Sequence, residues 1–272
     1  MAAGNARTGD FADRGRLVPA LASLMSEAGA RILELAAKGL HGRKKPDASV
    51  VTDADEAAEA ILRAGIERIL PGIPIVAEEA IARGQTMAAL DAFFLVDPLD
   101  GTREIVAGGS DFTVNVALVS ARAPVLGLVY APADGVLYAG GEGRALRAKL
   151  PAGSRFIEAD AIPIRARPRP EQLVATVSRS HLDPASEAFL AKLPVSQRIQ
   201  IGSAIKFCRL AEGIADVYPR LSPVQEWDAA AGHALLVAAG GSMAAPDGTP
   251  LVYGCPEKGW RIDGFVAWGA PG

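Results

Sequence analysis

Short apolar segments recur between residues 73 and 139, and this run limits the folds open to the chain more than any other feature. Each segment has the length of a strand, and the later ones are joined by short turns; they are residues 73–77, 92–96, 112–119, 125–130 and 136–139. Strands that follow each other through short turns pair antiparallel, because a parallel pair needs a long crossover. We therefore expect an antiparallel sheet in the first half of the chain.

Two helices are predicted ahead of this run. Apolar residues recur at helical spacing over residues 17–36. A second helix should begin at Thr52 or Asp53, whose side chains can cap it, and should end near Leu70. The polar segment between the two helices, residues 41–51, is predicted to be a loop.

The pattern changes after residue 150. Residues 146–170 are rich in Arg, Pro and Ala and are predicted to form a crossover. Beyond them short strands and helices alternate, which is typical of α/β layers; strands are expected at 173–178 and 198–201, and helices at 185–192, 203–213 and 228–239. We expect two subdomains: residues 1–150, with the antiparallel sheet, and a smaller α/β unit of residues 151–272.

Composition excludes several classes of protein. Half of the 272 residues are hydrophobic and the net charge is −3, which indicates a globular protein without the positive surface that nucleic acid requires. The two cysteines form no Cys-x-x-Cys motif, which argues against a disulfide framework or a thiolate zinc site. The start of the chain lacks an apolar signal core, so we expect a cytoplasmic protein without membrane insertion. Peripheral association with the inner membrane and pairing as a homodimer stay open.

Acidic side chains cluster at the ends of predicted strands and the starts of predicted helices. They are Asp53, Asp55, Glu78, Glu79, Asp97, Asp100 and Asp228. Each alone has an ordinary explanation, either as a solvated loop residue or as a carboxylate that favours a helix start. Their joint occurrence on distant segments indicates a site, because layered folds build sites at such ends.

Asp97 and Asp100 belong to the segment Asp-Pro-Leu-Asp-Gly-Thr, which directly follows an apolar strand. Two carboxylates this close repel each other unless a cation lies between them or they share one proton. Oxygen ligands without His or Cys favour Mg²⁺ over zinc. A turn with solvated aspartates explains this segment alone equally well.

The spacing Asp-x-x-Asp differs from the Asp-x-Asp-Gly-Thr of phosphatases that use an aspartyl nucleophile. This difference argues against a mechanism with a covalent phosphoenzyme.

Three motifs together resemble the inositol monophosphatase superfamily of Mg²⁺-dependent phosphatases. They are the Asp-Pro-Leu-Asp-Gly-Thr segment, the preceding Ala-Glu-Glu of residues 77–79, and the Glu-Trp-Asp-Ala-Ala-Ala-Gly of residues 226–232. The resemblance extends over residues 17–268, with one small departure at residues 104–106, which are Glu-Ile-Val where the family usually has Glu-Phe-Ile. It implies the layered α+β sugar-phosphatase fold, with alternating α and β layers.

The resemblance also implies roles for individual residues. Two or three Mg²⁺ ions would be bound by the side chains of Glu78, Asp97, Asp100 and Asp228 and by the carbonyl oxygen of Leu99. Thr102, paired with Asp55, would orient and deprotonate the attacking water, and Glu78 would share in catalysis as a ligand of the activating ion. The amides of Gly101 and Thr102 would cradle the phosphate.

Further segments are similar to the bisphosphate-nucleotidase branch of the superfamily. They are residues 178–181, 202–208, 211–213 and 218–220 in the second half, and residues 111–115 and 127–132 in the first. This implies hydrolysis of 3'-phosphoadenosine 5'-phosphate to AMP and phosphate, with 3'-phosphoadenylyl sulfate as a further substrate. The substrate residues would be Ser178, His181, Ser203, Lys206 and Arg220, with Arg179 and the loop residues 43–45 as weaker cationic candidates. For Lys206 a surface lysine, and for Arg220 a charge beside a turn, are the ordinary alternatives.

Two other functions stay open. The same metal site with a different specificity pocket would make an inositol monophosphatase, and a fructose-1,6-bisphosphatase is a more distant enzyme alternative. A non-catalytic member of the fold would bind RNA or a protein. The intact acidic set argues against loss of catalysis, and the net charge of −3 argues against RNA binding.

Overall fold

The computed structural model describes residues 14–44, 50–179 and 182–272. The first described element is helix α1 (Arg14–Ala37), which buries apolar side chains at helical spacing, among them Leu21, Met25 and Ile32. Helix α2 (Asp53–Ile69) packs against it. The Thr52 hydroxyl accepts a hydrogen bond from the Ala54 amide at 3.1 Å, so the predicted start of this helix is confirmed.

Two short strands lie in the segment between these helices. Strand β1 (Arg43–Lys44) and strand β2 (Val50–Val51) pair antiparallel. The prediction of a plain loop over residues 41–51 was wrong at these two places. Pairing over two residues on each side leaves almost no sequence signal, because strand patterns are recognised by their repetition.

The larger sheet has seven strands in the order in which they follow each other along the chain. They are β3 (Ile75–Ala77), β4 (Ala92–Asp100), β5 (Thr113–Ser120), β6 (Ala123–Ala131), β7 (Val136–Gly141), β8 (Arg144–Lys149) and β9 (Ala161–Pro163). β3 and β4 are parallel, and every later neighbouring pair is antiparallel. The predicted antiparallel sheet is thereby confirmed. Helix α3 (Glu78–Ala82) follows β3, and helix α4 (Thr102–Val106) follows β4.

The smaller sheet has five strands in the order β11-β10-β12-β16-β14. These are β10 (Leu173–Ser178), β11 (Val195–Ile201), β12 (Val217–Arg220), β14 (Ser242–Ala244) and β16 (Phe265–Trp268). A separate two-stranded ladder joins β13 (Val224–Gln225) to β15 (Arg261–Ile262). The helices of this half are α5 (Pro184–Leu190), α6 (Ile205–Ala211) and α7 (Glu226–Ala238), and short 3-10 helices occur at Glu158–Asp160 and Pro256–Lys258.

Helices and sheets alternate as layers. One hydrophobic core fills the space between the α1–α2 pair and one face of the larger sheet. A second core lies between the opposite face of that sheet, α6 and α7, and includes side chains of β12 and β16. A third joins the smaller sheet to α5. The layered fold expected from the sequence is confirmed, and α6 and α7 lie between the two sheets.

The predicted crossover over residues 146–170 was wrong in part. β8 covers residues up to Lys149, and β9 adds the last strand of the larger sheet at Ala161–Pro163. The smaller sheet begins at Leu173. The division into residues 1–150 and 151–272 stays a prediction.

Among the described residues, none of the helices combines the length and the apolarity that a bilayer-spanning segment needs.

Candidate active site

The Asp-Pro-Leu-Asp segment is the end of β4 rather than a free turn. Asp97 lies opposite Asn115 in the ladder with β5, and the register shifts before Asp100 lies opposite Thr113. The Leu99 amide donates a hydrogen bond to Asp97 Oδ1 at 3.0 Å. Gly101 then has a φ of +101°, and a Cβ there would be 2.8 Å from the carbonyl oxygen of Asp111, so only glycine fits.

Thr102 and Asp55 are joined across the interface between α4 and α2. The Thr102 hydroxyl is 2.9 Å from Asp55 Oδ1 and 3.0 Å from the Leu99 carbonyl oxygen, and its single proton can serve one of them at a time. Asp55 Oδ2 accepts hydrogen bonds from the Thr52 amide at 2.7 Å and the Thr52 hydroxyl at 2.6 Å. Asp55 therefore caps its own helix and also fixes the Thr102 side chain.

Glu78 is the first residue of α3, and a buried carboxylate of α2 holds the start of that helix. Glu59 Oε2 accepts hydrogen bonds from the Glu79 amide at 2.7 Å and the Ala80 amide at 3.3 Å. Glu59 Oε1 accepts one from Arg83 Nη2 at 2.8 Å. Because these contacts fix the backbone next to Glu78, they also fix where its side chain starts.

Asp228 lies in the first turn of α7, which is bound to the chain around it. Asp228 Oδ2 accepts a hydrogen bond from the Gln225 amide at 3.3 Å. The fully buried Glu226 accepts hydrogen bonds from the amides of Gly254 at 2.7 Å and Cys255 at 2.9 Å. The start of α7 is thereby held against the loop that precedes β15.

A cavity of about 350 Å³ lies where these segments meet the smaller sheet. The predicted site residues that line it are Glu78, Asp97, Leu99, Asp100, Gly101, Thr102, Ser178, Ser203, Lys206, Arg220 and Asp228. Asp55 does not line it and contacts the lining residue Thr102 instead. His181 lies outside the described residues, so its predicted role stays a prediction. The structure thus brings residues that are far apart in the sequence to one concave site.

Burial and mutual repulsion act on the carboxyl groups of this cavity. Burial raises the pKa of Asp97 well above its usual range, and the charges of Glu78, Asp100 and Asp228 raise it further. The pKa of Asp228 is raised to about 7, first by burial and then by Asp100, although Asp97 shares a hydrogen bond with it. Like charges this close to each other in a buried site favour either a retained proton or a bound cation.

Two cations from the second half of the chain face the same acids. Lys206 in α6 is only 3% exposed, so the alternative of a surface lysine is wrong. Its Nζ donates hydrogen bonds to the carbonyl oxygens of Ser203 at 2.8 Å and Ile201 at 3.4 Å. Burial raises the pKa of Asp100, whereas Lys206 and Arg220 act in the opposite direction.

Arg220 at the end of β12 keeps its charge in spite of its partial burial. Burial disfavours the charged guanidinium, but Tyr218, Asp228 and Asp100 outweigh it and raise the pKa of Arg220 above its ordinary value. The alternative of a solvated charge beside a turn is therefore wrong, because the guanidinium lines the cavity and interacts with two of its acids.

Arg179 and Arg43 do not line the cavity. Arg179 Nη2 lies 2.8 Å from Asp111 Oδ2, which also accepts a hydrogen bond from the Gly202 amide at 3.1 Å. A Cβ on Gly202 would be 2.7 Å from the Asp111 carbonyl oxygen. Arg43 forms exposed ion pairs with Asp53 and Glu56. The side chain of Lys44 and the whole of Lys45 lie outside the described residues.

The donor set of the cavity fits a hard divalent cation. Five carboxylate residues, the four predicted ligands and Glu104, line it together with Leu99, and no His or Cys is among its described lining residues. In this conformation no three or more His, Cys, Asp or Glu side chains of the described ranges are arranged to hold a metal ion. An ion would therefore need the carboxylates to rotate toward a common centre.

A family model described as the inositol monophosphatase family matches residues 14–260. The chain belongs to the inositol monophosphatase family. Enzymes of this family are generally Mg²⁺-dependent, in agreement with the oxygen-rich cavity.

Two curated members of the family resemble the chain over most of its length. The 3'(2'),5'-bisphosphate nucleotidase CysQ of Escherichia coli O157:H7 is 38% identical over 89% of this chain and 95% of its own length. The protein of the same name from Buchnera aphidicola is 34% identical over 93% of both chains.

Solved structures of the inositol monophosphatase family also match. CysQ from Bacteroides thetaiotaomicron has a TM-score of 0.78 and 30% identity, covering 96% of this chain and 99% of its own. An inositol monophosphatase from Anabaena has a TM-score of 0.71 and 25% identity, covering 94% of this chain and 91% of its own.

Residues with structural roles at this family site were absent from the sequence prediction. Glu59 and Asp111 both hold backbone amides next to the cavity, and neither stands in a motif that indicates metal binding. For Asp111 the only signal was its place in a family-like segment before β5. For Glu59 no signal existed, because an acidic residue within an amphipathic helix is ordinarily solvated.

Proposed function

We propose that this protein hydrolyses the 3'-phosphate of 3'-phosphoadenosine 5'-phosphate and releases AMP and inorganic phosphate. The observation that carries the proposal is one cavity in which a cluster of acids lies beside two cations, the buried Lys206 and the half-buried Arg220. The acids suit a metal-assisted hydrolysis, and the cations suit a second phosphate on the same substrate. The relatives that are named bisphosphate nucleotidases cover most of the chain.

The side chains of Glu78, Asp97, Asp100 and Asp228 and the Leu99 carbonyl would hold two or three Mg²⁺ ions. When bound, these ions offset the carboxylates, attract the phosphate dianion and make a nearby water more acidic. Without such positive charge the acidic wall would repel a phosphate monoester.

Thr102 and Asp55 orient the attacking water on this proposal. When the Thr102 hydroxyl donates its proton to Asp55 Oδ1, the hydroxyl oxygen is left to accept a hydrogen bond from water. The proton that the water loses then passes through Thr102 to Asp55. Burial raises the pKa of Asp55, whereas the hydrogen bonds from Thr52 and Thr102 lower it, so the group combines basicity with a fixed orientation.

The reaction balances without a covalent phosphoenzyme. The water oxygen forms a bond to phosphorus and the bond from phosphorus to the ribose 3'-oxygen breaks. That oxygen takes a proton from a solvent water as AMP leaves, and Asp55 returns its proton to solvent. The amides of Gly101 and Thr102 cradle the phosphoryl oxygens, because amides in tight turns point at bound anions.

Substrate selection is assigned to the wall built from the second half of the chain. Lys206 and Arg220 bind the 5'-phosphate, and the hydroxyls of Ser178 and Ser203 contribute hydrogen bonds to ribose or phosphate. His181 is predicted to join them. 3'-Phosphoadenylyl sulfate fits the same scheme, since its additional sulfate lies beyond the 5'-phosphate and leaves the 3'-phosphate unchanged.

An inositol monophosphatase is the second candidate function. The likeness to the Anabaena structure favours it, and the same acids would serve it. A single phosphate would leave Lys206 and Arg220 without a second anion to bind, which is why we prefer the bisphosphate.

Phosphate release tests the proposal directly. The substrates are 3'-phosphoadenosine 5'-phosphate, inositol 1-phosphate and fructose 1,6-bisphosphate, each with Mg²⁺, with EDTA and with the Asp100→Asn variant. We expect Mg²⁺-dependent turnover that is fastest with the nucleotide and is lost in the variant. Faster turnover of inositol 1-phosphate would reject the assigned roles of Lys206 and Arg220. A folded protein that releases no phosphate from any of them would point to the non-catalytic binding function.

The proposal also covers the binding partner, the cellular location and the oligomeric state. The partner is a small phosphorylated nucleotide rather than nucleic acid, and the location is cytoplasmic. The homodimer stays a prediction, which sedimentation velocity at two protein concentrations would test.

A further inference from the structure

Two polar side chains of β5 lie directly opposite the two aspartates of β4. Asn115 is the ladder partner of Asp97, and Thr113 is the ladder partner of Asp100. In an antiparallel pair, opposite residues point to the same face and their Cβ atoms are about 4.5–5.5 Å apart. Asn115 therefore shares the face of the sheet from which Asp97 reaches the cavity.

Both of these side chains are fully buried without a hydrogen-bond partner in the described part of the protein. Asn115 and Thr113 are 0% exposed, and neither the amide oxygen and nitrogen of Asn115 nor the hydroxyl of Thr113 is satisfied. An apolar residue of similar size would avoid the cost of desolvating these groups. An unsatisfied amide at the centre of a sheet therefore needs an explanation in function.

The neighbouring carboxylates give that explanation. They do not converge on an ion in this conformation, and Asp97 Oδ1 accepts a hydrogen bond from the Leu99 amide. A carboxylate that turns toward an ion needs a donor on its far side to hold the new orientation, and such outer partners are a regular part of metal sites. Across the ladder from Asp97, the Asn115 amide carries N–H donors with no other use.

We propose that Asn115 is a positioning residue of the metal site, whose side-chain amide donates a hydrogen bond to Asp97 and holds that carboxylate toward bound Mg²⁺. Thr113 has the corresponding, smaller role toward Asp100. This inference rests on the proposed metal-dependent function. It assigns to Asn115 no contact with the substrate.

The Asn115→Leu variant tests the inference through opposite changes in two measurements. In EDTA its thermal midpoint should equal or exceed that of the unchanged protein, because an unsatisfied amide has been replaced by an apolar group of similar size. Isothermal titration calorimetry with MgCl₂ should give a dissociation constant about 10- to 100-fold higher. Thr113→Val should change both quantities in the same directions by smaller amounts.

Thr176→Val is the matched control. Thr176 in β10 is also fully buried with an unsatisfied hydroxyl, but its ladder partner is Ile199 and no aspartate lies opposite it. This variant should gain stability in EDTA without any change in Mg²⁺ affinity. An equal loss of Mg²⁺ affinity in Thr176→Val would overturn the inference, because it would trace the effect to buried polarity in general.

An unchanged Mg²⁺ affinity in folded Asn115→Leu overturns the inference as well. Should that variant not fold, Asn115→Ala gives the same calorimetric test, since it also lacks the donor. The proposed function fails separately: if the unchanged protein binds Mg²⁺ but does not hydrolyse the nucleotide, the substrate is wrong while the Asn115 test still stands. If the unchanged protein does not bind Mg²⁺, both are wrong.

Discussion

Glu59 in α2 accepts a hydrogen bond from the Glu79 amide at 2.7 Å, which joins α2 to the first turn of α3. Glu59 is 1% exposed and also pairs with Arg83 at the far end of that short helix. The carboxylate thus holds both ends of the helix that begins with Glu78. Asp55, the partner of Thr102, precedes Glu59 by one turn of α2. The same helix therefore holds Thr102 through Asp55 and the start of α3, with Glu78, through Glu59.

Replacement of Glu59 should weaken Mg²⁺ binding although Glu59 does not line the cavity. We expect Glu59→Gln to raise the Mg²⁺ dissociation constant about 10-fold, because a neutral amide holds Arg83 and the start of α3 less firmly. Calorimetric titration measures this, with Glu67→Gln, an exposed residue of the same helix, as the control. Equal affinities in the two variants would show that the position of Glu78 does not depend on Glu59.

Removal of the Thr102 hydroxyl should slow the chemical step and leave metal binding nearly intact. Thr102→Val has almost the same shape, so we expect kcat to fall by about 10²- to 10⁴-fold, the usual contribution of a positioned proton-transfer group. KM and Mg²⁺ affinity should change little. Thr102→Ser, which keeps the hydroxyl, should recover most of the rate. A serine variant as slow as the valine variant would argue for a packing role of the threonine methyl group.

The cations of the cavity should discriminate between substrates with one phosphate and substrates with two. We expect Arg220→Met to raise KM for 3'-phosphoadenosine 5'-phosphate by about 10- to 100-fold, the value of one lost charge-assisted hydrogen bond. KM for adenosine 3'-phosphate should change much less. The ratio of the two KM values is the measurement, and Arg179→Met, which changes a cation outside the cavity, is the control. A proportional increase for both substrates would contradict the assigned 5'-phosphate contact.

His233 should make the fold less stable in mild acid. Burial lowers its pKa to about 4, and its Nδ1 lies 3.0 Å from the Tyr253 hydroxyl. Between about pH 6.5 and 4 the unfolded chain binds a proton that the folded protein excludes, so this contribution to stability is complete above pH 6.5 and decreases as the pH falls. From pH 7 to pH 5 the loss is about 1–2 kcal/mol.

The comparison of wild-type protein with His233→Gln isolates this contribution, because the variant has no imidazole to protonate. Urea unfolding at pH 7 and pH 5 should show that the variant loses less stability between the two pH values. An identical loss in both proteins would mean that the carboxyl groups alone set the pH dependence.

Local signals in the sequence were sufficient for the elements on which the site is built. The start of α2 was found because Thr52 and Asp55 cap the helix through contacts three residues apart. Strand β8 was missed because its Arg, Ala and Lys residues have little preference for strands. Pairing with β7 makes it a strand, and that partner is not visible in the residues themselves.

The candidate site was predictable only where a motif marked it. The acids around Asp97 form such a motif, whereas the burial of Lys206 depends on how α6 packs between the two sheets. Asp111 contacts Gly202 across 91 positions of sequence, and no local pattern reports a contact of that range. Asn115 was noted only as part of the family-like segment 111–115, and its role was not predicted, because the lack of a hydrogen-bond partner is a property of the folded chain.

The origin of the two walls of the cavity has a consequence for how this fold can change its substrate. Most of the acids come from β4 and α3, whereas the cations come from α6 and β12. Replacement of residues 202–220 would change the substrate range while β4 and α3, which carry most of the acids, stay unchanged. A Cβ at either Gly101 or Gly202 would be too close to the Asp111 carbonyl oxygen. A replacement segment must therefore keep glycine at position 202.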